Sequence, residues 1–261
     1  MNTISPKISI ITATLNNLPA LRLTTASIHS QTFRGFEHVV VDGGSSDGTV
    51  EWLATKSDSI RWLSEPDTGI ADAMNKGLSM ASGEWILFLH AGDTFAGDDS
   101  LEGAMSVLHT EADIVSHDVE FIEVQQSRIY KSHGFGWRIN FKTIPHQGAF
   151  SRRTLFDRVG SFDTSLAIGM DYDFFLRAHR QGARVDVVDE VLTRMPATGV
   201  SSKLDWNSLR ARFQEEKIVQ LRHAVGTAQR LMYSIYWPPY WGYRRVRQAR
   251  LSPSSGWSES P

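Results

Sequence analysis

Two carboxylates stand where a sheet would hand them to a ligand. Asp42 follows Val39-Val40-Val41 and opens the turn Gly43-Gly44-Ser45-Ser46-Asp47-Gly48-Thr49. Asp93 closes His90-Ala91-Gly92-Asp93 after the apolar run Trp85-Ile86-Leu87-Phe88-Leu89. An apolar run that ends in small residues and an acid reads as a buried strand delivering a carboxylate to a sheet edge. In open parallel sheets, ligands bind just beyond the carboxyl ends of the strands. Two such strands point to one site. A further acidic pair, Asp171 and Asp173, falls in the first turn of a predicted helix with Phe174, Phe175 and Ala178 on its apolar face. Carboxylates there offset the helix dipole, worth about 0.3–1 kcal/mol each.

The elements that must position these groups alternate. Ile8 to Thr14 is a predicted strand, Leu15 to Pro19 a turn with Pro19 suited to a helix start, and Leu21, Thr24, Thr25 and Ile28 a helical stripe. Phe36 to Val41, Ile60 to Ser64 and Trp85 to Leu89 follow as strands, separated by helices over Thr49 to Lys56 and Gly69 to Ala81. Such alternation predicts an α/β fold with a doubly wound sheet and right-handed crossovers. After about Ala112 the pattern changes. Strands over Asp113 to Glu123 and Ser127 to Tyr130, with no long helix between them, predict an antiparallel or mixed extension of that sheet. Helices over Ser151 to Val159 and Met170 to Arg180, a strand within Ala183 to Val191 and a helix over Trp206 to Ala224 complete the order. The expected organisation is a catalytic domain over 1–204, a helical, aromatic and basic segment over 205–251, and a Ser/Pro-rich, disordered tail over 252–261.

Composition bounds the function. The 261 residues are 41% hydrophobic and 21% charged, with net charge -2. This suits one large globular core and gives no general case for nucleic-acid binding. There is no cysteine, hence no disulfide, thiolate nucleophile or thiolate metal site. The polar Met1 to Lys7 segment does not read as a signal peptide, and no apolar run approaches the roughly 20 residues that cross a bilayer. The expectation is a cytoplasmic protein, or one attached to a membrane without crossing it. The first strand ends in Thr12-Ala13-Thr14-Leu15-Asn16-Asn17, without the G-x-G-x-x-G of a dinucleotide fold, and no Walker loop occurs.

Five blocks in order carry a resemblance: Ile8 to Asn16, Val41 to Thr49, Glu65 to Gly77, Ala81-Ser82-Gly83-Glu84-Trp85, and Leu89 to Asp93. Together they resemble a family 2 glycosyltransferase of the inverting GT-A type, closest in flavour to colanic-acid and exopolysaccharide transferases. The resemblance covers roughly Ile8 to Arg180. It implies a GT-A fold with a mixed, mainly parallel sheet flanked by helices and followed by a C-terminal helical segment. It also implies a nucleoside-diphosphate sugar donor and a carbohydrate or lipid-linked acceptor, in polysaccharide or glycolipid assembly.

Residue roles follow from the same resemblance. Thr12, Ala13, Asn16, Asp42 and Gly44 would line the nucleotide pocket, with Asp42 accepting from the base or ribose. Asp47 either joins them or caps the helix at Thr49. Asp67 and Asp72 would lie along the nucleotide-sugar, Asp67 as the contact and Asp72 as a contact or a helix-start acid. Asp93 matches the last acid of the family's metal motif and would bind Mn²⁺ or Mg²⁺ on the donor diphosphate. The usual preceding acid is Gly92 here, and His90 stands where Asn or Thr is common. His90 is either a Mn²⁺ ligand or a hydrogen-bonded pocket histidine. His146, in Pro145-His146-Gln147-Gly148, would touch the diphosphate, the metal or the acceptor. Asp171 matches the catalytic base, with Met170 replacing the acid before it. Asp173 is the second catalytic candidate, or else orients Arg177.

The C-terminal segment is read on its own. From Lys217 to Ser258 there is no Asp or Glu, while Tyr233, Tyr236, Trp237, Tyr240, Trp241 and Tyr243 precede Arg244, Arg245, Arg247 and Arg250. Aromatics beside arginines favour an anionic membrane interface, here the inner face of the plasma membrane. The alternative is a helix packed on the catalytic domain with a solvated basic end. Two other functions stay open: a non-catalytic nucleotide-sugar binder and a nucleotidyltransferase.

Overall fold

The N-terminal half is a parallel sheet whose central strands are buried on both faces. β1 (Ile8–Thr14) is buried along its whole length between β2 (Phe36–Asp42) and β4 (Trp85–Phe88), with β3 (Arg61–Ser64) at the edge. Such strands read as continuous Val/Ile runs, since helices cover both sides. The covering crossovers are α1 (Leu18–His29), α2 (Thr49–Ala54) and α3 (Ile70–Met80). α3 turns Ala71, Ala73, Met74 and Gly77 inward. It lies so close to the sheet that a Cβ on Gly77 would stand 2.3 Å from Ile11 Cγ2. The computed structural model describes residues 7–108, 111–123, 126–197 and 205–251. The tail over 252–261 lies outside them.

Beyond β4 the sheet becomes mixed. β8 (Ala149–Arg152) runs antiparallel to β4 and to β6 (Ile114–Ile122). β9 (Val185–Pro196) lies parallel to β6 and antiparallel to β5 (Thr94–Phe95), and β7 (Ser127–Tyr130) forms a hairpin on β6. The strand order is β3-β2-β1-β4-β8-β6-β9-β5. The core between this half of the sheet and α4 (Ser100–Met105) contains Trp85, Leu87, Phe95, Leu101, Val115 and Phe150. Two sequence expectations change. Ser151 and Arg152 belong to β8, and the helix α5 begins only at Arg153, ending at Val159. β9 continues five residues past Val191, because its far half still pairs with β6 beyond a bulge at His117–Val119 and with β5. α6 (Met170–Arg180) matches its predicted bounds.

The chain divides into two compact units, Met1–Val200 and Ser201–Pro261. The second is a helical hairpin of α7 (Trp206–Arg222) and α8 (Gly226–Leu251). Asp205 caps α7 by accepting from Ser208 N at 3.0 Å. The hairpin's core is aromatic. Trp237 donates from Nε1 to Gln220 Oε1 at 2.8 Å and lies beside Phe213, which also meets Tyr240. Tyr233 and Trp237 are 0% and 2% exposed. These two were expected at a membrane interface; they are instead the packing face of α8 against α7.

Candidate functional site

The loops that leave β1, β2 and β3 are knitted together at one sheet edge. Asp42 pairs in register with Thr14 on one side and Ser64 on the other. Its buried carboxylate accepts from Gly44 N (3.2 Å), Ser45 N (2.9 Å), Ser45 Oγ and Ser64 Oγ (2.7 Å). Asn16, at φ 47°, donates from its backbone to Ser45 Oγ and accepts from Ser46 N through Oδ1. Asp67 accepts from Gly69 N and lies over Gly43, where a Cβ would stand 2.6 Å from its Oδ2. Asp47 accepts from Leu18 N and from Thr49 N and Oγ1, so it caps α1 and α2 together. These bonds hold its carboxyl below the usual range. Asp72 accepts from Thr68 N at the start of α3 and pairs with Lys76.

A second group forms where β4 ends. The His90–Asp93 turn is closed twice, by Asp93 N to His90 O (2.9 Å) and by His90 N to Asp93 Oδ2 (3.0 Å). Ala91 N donates to Ala13 O, which holds this turn beside the end of β1. The His90 ring meets His146 edge-on, with centroids 5.0 Å apart. His146 Nδ1 lies 3.4 Å from Asp171 Oδ2 in the first turn of α6. Burial pushes the Asp93 carboxyl up to about 7, against the opposing pull of His146, the His90 N–H and the Gln147 amide. Burial, then His146, pushes His90 down to about 3, leaving a neutral ring. Neither ring nitrogen of His90, nor Nε2 of His146, has a hydrogen-bond partner among the described residues. Gln147 is the member that spacing alone does not single out. Its carbonyl accepts from Thr193 Oγ1 and its side chain reaches Met195 Sδ, anchoring the turn to β9.

Asn16, Asp42, Gly44 and Asp67 thus share one edge, and His90, Asp93, His146 and Asp171 form a contiguous group. Ala13 joins the two through its backbone. Thr12 does not face them; its buried hydroxyl bonds His38 Nε2 at 3.0 Å, inside the sheet's flank. Asp173 does not join these groups either. It is 2% exposed and accepts from Arg177 Nε at 2.8 Å. That guanidinium also donates to the carbonyls of Val159, Gly160 and Ser161. Asp173 therefore orients Arg177, whose guanidinium ties α6 to the end of α5.

The model for the glycosyl transferase family 2 domain matches residues 9–168. The chain belongs to that family. A glycosyltransferase of Mycobacterium tuberculosis is 34% identical over 208 residues, covering 77% of this chain and 79% of its own. A PGL/p-HBAD biosynthesis glycosyltransferase of Mycobacterium bovis is 34% identical over 195 residues, covering 69% and 73%. Among solved structures, S. aureus TarS 1–349 in complex with UDP-GlcNAc superposes with a TM-score of 0.71 at 17% identity, covering 95% of this chain and 76% of that one. A Pyrobaculum calidifontis mannosyltransferase in complex with GDP-Man and Mn²⁺ gives 0.67 at 19% identity, covering 98% and 77%. The fold is that of a GT-A glycosyltransferase.

Within this family 2 enzyme, the residues around Asp93 suit a divalent cation only in part. A buried carboxylate with a raised pKa is one that an adjacent cation would relieve. The unpartnered imidazole nitrogens nearby are possible further donors. No group of three or more His, Cys, Asp or Glu is arranged to hold a metal among the described residues. Any ion here must complete its shell with donor oxygens and water, as Mg²⁺ and Mn²⁺ do on phosphates. The position just before Asp93, where an acid is expected, is Gly92, and its backbone would not readily take a side chain. Gly92 has φ +107°, where side chains are strained, and a Cβ would sit 3.2 Å from Pro196 Cγ.

Proposed function

We propose that this transferase moves a sugar from a nucleoside-diphosphate sugar to an acceptor hydroxyl with inversion, using Asp171 as the general base. The observation that carries this reading is the run of contacts Asp93–His90–His146–Asp171. It puts two carboxylates on opposite sides of a histidine pair, which supports reading one as the proton acceptor and the other as the acid beside the diphosphate. The nucleotide would lie on the loops after β1 to β3, with its diphosphate toward Asp93. Asp93 would hold a Mn²⁺ or Mg²⁺ ion, which supplies Lewis-acid stabilisation of the leaving diphosphate. The acceptor oxygen attacks the anomeric carbon from the opposite face as the bond to the diphosphate oxygen breaks. The electron pair leaves on the diphosphate, and the acceptor proton passes to an Asp171 carboxylate oxygen. His146 keeps that carboxylate aimed. Likeness to proteins named for PGL/p-HBAD biosynthesis, UDP-GlcNAc binding and GDP-Man binding supports a sugar-nucleotide donor and an acceptor in glycolipid or polysaccharide assembly. We infer that the site of action is the cytoplasmic face of the plasma membrane.

The test is a panel of sugar nucleotides with Mn²⁺, Mg²⁺ or chelator, read as released nucleoside diphosphate and as the anomeric configuration of the product. Metal-dependent release with an inverted product is expected. Retention of configuration, or pyrophosphate release from a nucleoside triphosphate, would overturn the reading.

A further inference from the structure

α8 has two apolar sides, and only one of them is used within its hairpin. At 3.6 residues per turn, Tyr233, Trp237 and Tyr240 fall on the side that meets α7. Leu231, Ile235, Pro239, Gly242 and Val246 fall on the other. That outer stripe is exposed throughout: Leu231 is 61%, Ile235 65% and Val246 54% exposed. No charged residue interrupts it between Leu231 and Val246; the exposed Arg245 borders it, and the exposed Arg230 and Arg247 lie near its two ends, toward the α7-facing side. No acid occurs from Lys217 to Ser258 to offset them. An apolar stripe on a helix that carries several arginines and no acid is complementary to an anionic lipid surface, where acyl chains meet acidic headgroups. The proline pair fits the same side. Pro238 and Pro239 remove the backbone donors to Ser234 O and Ile235 O, and both rings are exposed, where water or headgroups can serve those carbonyls. No helix among the described residues is long and apolar enough to cross a membrane.

We propose that the outer face of α8, centred on Leu231, Ile235 and Val246, edged by Arg245 and backed by the other arginines of the same helix, docks flat on an anionic lipid bilayer, while the Tyr/Trp cluster serves as the core of the hairpin. The proposal deepens the membrane-side reading of the transferase, and its test does not depend on transfer. The full chain is sedimented with vesicles of phosphatidylcholine alone or mixed with phosphatidylglycerol, at low and high salt. Wild type is expected to partition onto the mixed vesicles only, and less at high salt. Ile235→Glu with Val246→Glu should lower partition at least about tenfold at unchanged melting temperature. Arg245→Gln with Arg247→Gln should lower it roughly fivefold per arginine and remove the preference for anionic lipid. Failure of wild type to sediment at low salt would overturn the proposal. So would wild-type partition by the glutamate variant. A glutamate variant that is monomeric where wild type is dimeric would assign the stripe to a second copy. One that lowers the melting temperature would assign it to packing within the chain; either outcome overturns lipid docking. Donor hydrolysis by the same variants reports separately on the transferase reading.

Discussion

The two halves of the cleft treat their polar groups in opposite ways. At the ends of β1, β2 and β3 the acids are satisfied by the chain itself. Asp42 takes four donors, Asp47 caps two helices, and Asp67 and Asp72 hold the turn into α3. At the end of β4 this holds only in part. Asp93 accepts from His90 N yet is buried with its pKa raised, and three imidazole nitrogens beside it have no partner among the described residues. Leaving such groups unpaired costs about 1–3 kcal/mol each. A fold tolerates that where a ligand completes the set. The first half therefore holds its loops in place with its own acids, and the second keeps polar atoms that a ligand could use.

Substitutions should split along this line. The largest effect is expected from Asp171→Asn, which should lower transfer by at least about 10²-fold while leaving donor affinity in place. Single-turnover kinetics and calorimetry together check it, with Asp173→Asn as the control that should lose stability rather than nucleotide binding. Next comes Asp42→Ala, which strips the acceptor from four donors and should cost about 2 kcal/mol of folding stability in urea titrations without ligand. An Asp42 variant as stable as wild type would break the comparison, because it would move that carboxylate from architecture to ligand. Asp93→Ala should do the opposite. Its melting temperature should hold, while Mn²⁺-dependent affinity for nucleoside diphosphate should fall about tenfold, to the chelated level. Unchanged metal-dependent affinity in the folded variant would remove Asp93 from the metal role.

The smallest effect concerns a histidine that sharpens the rule by breaking it. His38 Nδ1 also lacks a partner among the described residues, yet it lies in the flank of the sheet beside Thr12 and His29. Burial, then His29, lowers its pKa to about 3. Below pH 6.5 the unfolded chain takes up this proton and the folded chain does not. Stability is therefore full above that pH and falls toward pH 3, by at most about 1.4 kcal/mol per unit. Urea titrations from pH 7.5 to 5 should show a shallower loss in His38→Gln. An identical slope would mean that other groups govern the acid limb.

The parallel half of the fold was legible because each strand is a short apolar run ended by turn residues, and α6 because its aromatic stripe has a clean helical period. β8 was not, since it is only four residues long, runs directly into a helix and has just Ala149 and Phe150 as apolar residues. The candidate site was legible as residue types but not as pairings. Ser64 reaches Asp42 across 22 residues and His146 reaches Asp171 across 25. Only the folded sheet brings them together. The same limit explains the aromatics of α8. Composition shows that Tyr233 and Trp237 are interfacial in type, whereas packing against Phe213 and Gln220 decides which interface they occupy.

Gly77 gives the pocket an adjustment screw behind its wall. α3 rests on Ile11 at that point, and the turn leading into this helix carries Asp67 over Gly43. A single methyl there acts as a shim: it would press on Ile11 and push the helix, with the turn at its start, away from the sheet. If the donor lies as proposed above, its preference becomes tunable from a buried position. A Gly77→Ala chain would report this as a changed ratio of affinities for uridine and guanosine diphosphates.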